Sequence, residues 1–235
     1  MNDSGPGYLL PYILTGSIAV VSVALFGLHR ALRRATLPAQ DRRRAFWIGS
    51  ALLVGWFLAA LVLSWSGFYR GSPSDLPAVP LGLLIPIAAG VLLYRIWPLF
   101  RRIVDALPQR WIVSIQAYRI EGLIFLLLYA NGRLPGAFAL PAGIGDMAVG
   151  LMAPLAGASG SSTRLRAWNL AGITDLVVAV TTGFLTSPSP VQLLALDRPN
   201  ELISAFPLVL IPVFLVPLSV LLHLASLQKL RRNEV

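Results

Sequence analysis

Seven apolar stretches, each long enough for a membrane crossing, succeed one another along this chain with only short connections between them. An α-helix rises about 1.5 Å per residue, so roughly 20 residues traverse the ~30 Å hydrocarbon core of a bilayer. The stretches fall at about 8–29, 45–67, 78–98, 111–130, 137–157, 166–187 and 203–227. Lipid offers backbone groups no hydrogen-bond partner, so runs of this kind must satisfy themselves internally as helices. The expected fold is therefore an all-α integral membrane protein, a single seven-helix transmembrane domain over residues 1–235. Composition agrees, since 56% of residues are hydrophobic, 12% are charged and mean hydropathy is +0.73. That balance is too apolar for a soluble domain of this length.

Interfacial aromatics mark several boundaries: Tyr8, Trp47, Tyr69, Trp97, Trp111, Tyr129 and Trp168. Turn signals fill the gaps, among them Gly71-Ser72-Pro73, Asn131-Gly132-Arg133 and Ser187-Pro188-Ser189-Pro190. The basic residues then divide sharply. Arg30, Arg33, Arg34 and Arg42 to Arg44 fall in the first connection; Arg95, Arg101, Arg102 and Arg110 in the third; Arg164 and Arg166 in the fifth; Lys229, Arg231 and Arg232 in the tail. Only Arg70, Arg133 and Arg198 fall on the opposite side. The positive-inside rule then predicts an outside N-terminus and a cytoplasmic C-terminus. The net charge of +9 is accordingly read as a topology signal and not as a nucleic-acid surface. The segment 101–110 has a second reading, a short interfacial helix displaying Ile103, Val104 and Leu107.

Met1 to Gly7 carries Asp3 and no basic residue, so it lacks the n-region of a cleavable signal peptide and the first helix is expected to be retained. Arginine outnumbers lysine eighteen to one, which fits a GC-rich bacterial coding sequence and an inner-membrane location. The absence of cysteine removes disulfides, thiolate metal sites and thiol nucleophiles.

Helices one to three and five to seven echo each other weakly. Leu10-Pro11 corresponds to Leu140-Pro141, Arg44-Ala45-Phe46 to Arg166-Ala167-Trp168, and Leu83-Leu84-Ile85-Pro86 to Val209-Leu210-Ile211-Pro212. A parallel three-plus-one-plus-three repeat would follow, with a site between the halves. Such an architecture resembles that of the sugar-exporting and PQ-loop families, although the Pro-Gln motif is missing and the fourth helix is no bland linker. No family membership follows from it.

Four ionisable residues stand near the middle of apolar spans: Arg119, Glu121, Asp146 and Asp175. Charge at that depth costs from about 3 to more than 10 kcal/mol depending on the reference state, so it marks a site, a pathway or a buried ion pair. In the fifth helix Gly143, Asp146, Gly150, Ala153 and Gly157 share a face, and in the sixth Gly172, Asp175, Ala179 and Thr182 do so. Small-residue stripes let neighbouring helices approach closely, and the two are expected to meet. Two carboxylates at one depth need a cation or a proton between them, and Arg119 is suited to bridge both through several donors. Gln116, on the same face, is expected to extend the network, and Asn169 of the sixth helix is a further polar candidate. Glu121, about 200° around an α-helix from Arg119, should face another neighbour and take a hydrogen bond from Tyr118. Three acids and one base leave two surplus negative charges, the electrostatic condition of a proton- or cation-linked site. Pro141 raises a second expectation, that residues 136–140 are non-helical and leave a helix N-terminus facing an outward cavity; a proline inside a continuous helix is the plainer one.

Other signals carry less. Gly143-Ile144-Gly145-Asp146-Met147-Ala148 fits a dinucleotide fingerprint formally but follows no strand. His29 and His223 both fall toward the cytoplasmic ends of their helices, where a shared haem is a minor reading. No metal, cofactor or nucleic acid is expected. The leading functional expectation is a carrier or channel-like protein for a small solute or ion, with Arg119, Asp146 and Asp175 at its centre and Glu121, Gln116 and Asn169 around it. A non-transporting sensor, assembly factor or partner subunit is the second reading. A membrane enzyme acting on lipid-derived substrates is the third.

Overall fold

The computed structural model describes residues 5–35 and 37–232. The expectation for the N-terminus rests on Asp3 and so lies largely outside the described residues. The described chain is all-helical, and seven of its helices are long and apolar enough to cross a membrane. They are Leu9–Arg34, Ala39–Trp65, Val79–Ile96, Gln109–Ala130, Gly136–Ala158, Ser162–Thr186 and Ile211–Arg232, here spans 1 to 7. The protein is thus of the multi-pass membrane type.

Three boundaries differ from the sequence reading. Arg30, Arg33, Arg34 and Arg42 to Arg44 are helical, not part of a loop, because arginine is a good helix former and no breaker intervenes before Pro38. Between spans 3 and 4 a short helix, Pro98–Ala106, opens on a proline suited to its first turn. Its Ile103 is buried beside Leu28, Leu32 and Ala45, so this segment follows the short-helix alternative. Span 7 begins at Ile211, eight residues later than expected. Residues 202–210 form one 3-10 turn and further turns, and Pro207 and Pro212 explain the delay, since neither supplies the N–H a helix needs.

Span 7 opens as a π-helix, Ile211–Leu215, before becoming α-helical. Pro217 cannot donate to the carbonyl four residues earlier, which favours the wider turn. Span 4 is interrupted as well: α-helix over Gln109–Ser114, 3-10 helix over Ile115–Gly122, and α-helix again over Leu123–Ala130. Residues 136–140 are helical and Pro141 lies inside span 5, so no helix N-terminus is freed there.

Contacts between connections define two ends of the bundle. The Gly71 N–H donates to Ser204 Oγ at 3.0 Å, joining the second connection to the sixth. At the opposite end Lys229 Nζ donates to the Asp105 carbonyl at 2.7 Å, and Gln109 Nε2 donates to Ser226 Oγ at 2.7 Å. The first is the arginine-poor end and the second the arginine-rich end.

Lipid tails are as apolar as leucine, so span association depends on close packing more than on hydrophobicity. Gly143, Gly150 and Gly157 supply that closeness. A Cβ at Gly150 would stand 2.7 Å from the Ile120 nitrogen, and one at Gly157 would meet Ser114 and the Arg110 carbonyl. The small-residue stripe of span 5 therefore packs on the backbone of span 4, and not on the stripe of span 6 as expected. Span 6 reaches span 5 elsewhere, with the Asp175 carboxylate filling the space left by Gly145.

Candidate functional site

Arg119 is carried on the 3-10 segment of span 4 and is 3% exposed. A 3-10 helix has three residues per turn, so Gln116, Arg119 and Gly122 lie above one another on one face, while Tyr118 and Glu121 share another. Gly122 and Gly150 let spans 4 and 5 touch at this level, which delivers Arg119 to Asp146. Arg119 Nε donates to Asp146 Oδ1 at 2.8 Å, and Nη2 forms an ion pair with Asp175 Oδ2. The structure thus brings together three of the four residues singled out by their depth. A planar guanidinium with fixed donors suits this double bridge, where a lysine would offer one point charge.

The remaining donor contacts of Arg119 lead to residues outside the expected cluster. Nη1 donates to the Gly172 carbonyl at 3.3 Å and lies 3.2 Å from His223 Nε2. A guanidinium has no acceptor, so His223 accepts through Nε2 and carries its proton on Nδ1. That proton goes to Asn169 Oδ1 at 2.9 Å. Asn169 Nδ2 in turn donates to the Leu165 carbonyl at 2.7 Å and to Ser226 Oγ at 2.8 Å, and Ser226 Oγ also accepts from Gln109 Nε2. A continuous chain of hydrogen bonds therefore runs from the two aspartates through Arg119, His223, Asn169 and Ser226 to Gln109 near the arginine-rich end. Gly172 makes room for it, because a side chain there would occupy the place of the His223 ring and crowd Arg119.

The sequence limits of the seventh helix put His223 toward a helix end, where a haem ligand is its only functional reading. The later start of span 7 puts it near mid-span, fully buried, with both ring nitrogens engaged by protein groups. His29 sits apart from it, packed edge-on against Phe46 with ring centroids 5.5 Å apart. The usable signal is the pair of prolines Pro207 and Pro212, which moves the start of span 7 inward.

Two other expectations need correction. Gln116 is fully buried, yet neither amide atom makes a hydrogen bond among the described residues, so it does not extend the network. One 3-10 turn is about 6 Å along the axis, which sets Gln116 a full turn away from the carboxylates. Tyr118 does not serve Glu121: its hydroxyl donates to the Leu215 carbonyl at 2.9 Å and accepts from Ser219 Oγ at 2.6 Å. Glu121 faces away from Arg119 toward Gly16 of span 1, while its backbone carbonyl accepts from Tyr12 at 3.2 Å. Its Oε2 is buried without a partner among the described residues. A void of about 20 Å³, roughly one water in size, is lined by Glu121, Asp146, Tyr118 and Ser219.

Asp146 also lines a larger cavity of about 380 Å³. Its lining includes Gly71 and Pro77 of the second connection, Ser187 and Ser204 of the sixth, and Leu83 and Phe138 deeper in. It therefore runs from the arginine-poor end to the carboxylate. Its walls are overwhelmingly apolar, and among the described residues Asp146 is the only ionisable one that lines them. No group of three or more His, Cys, Asp or Glu able to hold a metal occurs among the described residues.

A family model with the description "Domain of unknown function (DUF8737)" matches residues 76–231. The chain belongs to the DUF8737 family. No curated protein and no solved structure matches it. The DUF8737 match takes in spans 3 to 7 and with them every member of the hydrogen-bonded chain from Gln109 to Ser226. Spans 1 and 2 lie before it.

Proposed function

We propose that this DUF8737 protein is a membrane carrier for a small, largely apolar solute bearing a cationic or hydrogen-bond-donating group, coupled to a proton or cation at Asp146 and Asp175. The cavity of about 380 Å³ that ends on Asp146 carries the proposal. Small-molecule sites commonly enclose about 300–1,000 Å³, mostly apolar with a few placed polar groups. A strongly hydrated solute gains nothing from such walls, whereas an apolar body with one cationic end meets both the walls and the carboxylate. With both aspartates ionised, one surplus negative charge remains beside Arg119. A proton or the solute's own cation balances it, and competition between the two is the differential binding that coupling needs. The hydrogen-bonded chain toward Gln109 supports a polar route on the side away from the cavity.

The proposal takes the N-terminus as outside and the C-terminus as cytoplasmic in a bacterial inner membrane, supported by the crowding of basic residues at one end. The cavity then opens outward. The repeat gains no support: Pro86 lies inside span 3 whereas Pro212 opens span 7, and the polar cluster has no counterpart among the described residues of spans 1 to 3.

A sensor or partner-subunit role is favoured by one observation, the extensive pairing of Arg119, which suits a lock between spans. Proteoliposomes separate the two. With a pH-sensitive dye inside and ethidium as the cationic apolar probe, wild type should exchange ethidium for protons and Asp146→Asn should not. Wild-type flux no greater than that of empty vesicles would sink the carrier reading.

A further inference from the structure

A second cleft, of about 450 Å³, lies at the arginine-rich end between spans 3 and 7 and the short helix Pro98–Ala106. It is unconnected with the Arg119 cluster and the proposed carrier function does not use it. Its apolar wall comes from Val91, Phe100, Val104, Leu221 and Leu224, and its rim carries Arg95 and Arg231. Gly90 sets its inner limit, since a Cβ there would stand 2.7 Å from a Leu221 methyl and close the approach of the two spans.

The charges around the cleft are unbalanced. Arg95, Arg101, Lys229, Arg231 and Arg232 gather near one acid among the described residues, Asp105. Asp105 is already occupied: Arg232 Nη1 pairs with its Oδ2 at 2.7 Å, Tyr94 donates to its Oδ1 at 3.1 Å, and Lys229 takes its carbonyl. Arg95 and Arg231 make no ion pair among the described residues. The cleft therefore combines an apolar trough flanked by two membrane spans with cationic groups at the level where the spans end.

We propose that this cleft is a binding site for an anionic phospholipid, whose acyl chain lies along Val91, Leu221 and Leu224 and whose phosphate is held by Arg95 and Arg231. Basic pockets between transmembrane helices hold anionic headgroups by this combination of charge and apolar contact. Arginine suits the phosphate through its paired donors. A zwitterionic lipid fits the trough equally well but brings a cationic group into the same positive field, so the site discriminates by headgroup charge.

Native mass spectrometry of the full chain in detergent, with phosphatidylglycerol, phosphatidylcholine or inorganic phosphate added, tests the assignment. Phosphatidylglycerol should be retained about thirtyfold more than phosphatidylcholine, in line with two surface cations. The double variant Arg95→Gln and Arg231→Gln should abolish that preference, and Leu224→Trp, which fills the trough, should lower retention of both lipids. The double variant Arg42→Gln and Arg43→Gln, equally basic but on span 2, should leave the preference intact. Equal retention of the two lipids, equal loss in both arginine pairs, or binding of inorganic phosphate as tight as of the lipid would each overturn the proposal. Because carrier flux is not read, failure here leaves the Asp146 proposal standing.

Discussion

Spans 4 and 7 have 50% and 56% of their most apolar windows buried inside the chain, whereas spans 2 and 3 have 11% each. The difference is one of construction. Spans 4 to 7 meet through glycines and exchange hydrogen bonds among side chains at their centre; span 2 leans on that core through larger apolar residues, and span 3 touches span 7 at Gly82 and Gly90 but joins none of that hydrogen bonding among the described residues. Trp56 and Phe57 of span 2, for example, pack on Phe214 with ring centroids 4.9 and 5.0 Å apart. Leu58, Val62, Leu84 and Ile85 are at least half exposed, as lipid-facing side chains should be. Within one membrane protein a polar, small-residue core and an apolar periphery thus coexist. Substitutions should weigh very differently in the two.

The largest effect is expected at Arg119. Arg119→Leu strands Asp146 and Asp175, and breaking a buried ion pair from one side costs about 3–5 kcal/mol. A drop of roughly 10 °C in melting temperature in detergent follows for a chain of this size. An unchanged melting temperature would mean that the core is not held by this pairing. Asp146→Asn keeps shape and hydrogen-bonding capacity, so it should lose less stability than Arg119→Leu while stopping proton-linked exchange. Should its flux match that of wild type, the carboxylate would be a purely structural partner of Arg119.

His223→Leu comes next. It leaves Asn169 Oδ1 without its donor and Arg119 Nη1 with one acceptor fewer, a loss of about 1–3 kcal/mol for buried polar groups left unmade. Gly172→Val should cost a similar amount through overpacking against the same ring. At the other extreme stands Gly55 of span 2, where an added Cβ would meet nothing within 4 Å. Gly55→Ala should be neutral or stabilising by about 0.5–1 kcal/mol, the helix preference for alanine. A large destabilisation there, read from the same melting curves, would show span 2 to be packed as tightly as span 5 and would dissolve the contrast.

Much of this core is legible in the sequence because charge is conspicuous in an apolar run. Arg119, Glu121, Asp146 and Asp175 all stand out by depth; the cost of burying each singly argues for partners, and the two aspartates find theirs in Arg119 while Glu121 lies against Gly16. His223 escapes that logic: a neutral imidazole costs little, and the span limits read from hydropathy displace it toward a helix end. Gln116 fails for the opposite reason, since an α-helical turn is expected where a 3-10 turn carries it farther along the axis. The three-residue spacing of Gln116, Arg119 and Gly122, and of Tyr118 and Glu121, is present in the sequence. Helical periodicity does not distinguish three residues per turn from 3.6 over so short a stretch. The cavity leaves no trace in the sequence, because its walls are ordinary apolar residues brought together by the delayed start of span 7.

The eight-residue 3-10 segment Ile115–Gly122 has a mechanical consequence. At about 2.0 Å and 120° per residue it is longer and more tightly wound than an α-helix at about 1.5 Å and 100°. Relaxing it to α-helix would shorten the fourth span by about 4 Å and turn its two halves against each other by roughly 160°. Arg119 sits on the thread of that screw. Its bonds to Asp146 and Asp175 tie the thread to spans 5 and 6, so any unwinding of the segment would have to carry those bonds with it or break them, and would express itself as torsion and displacement along the axis of the fourth span.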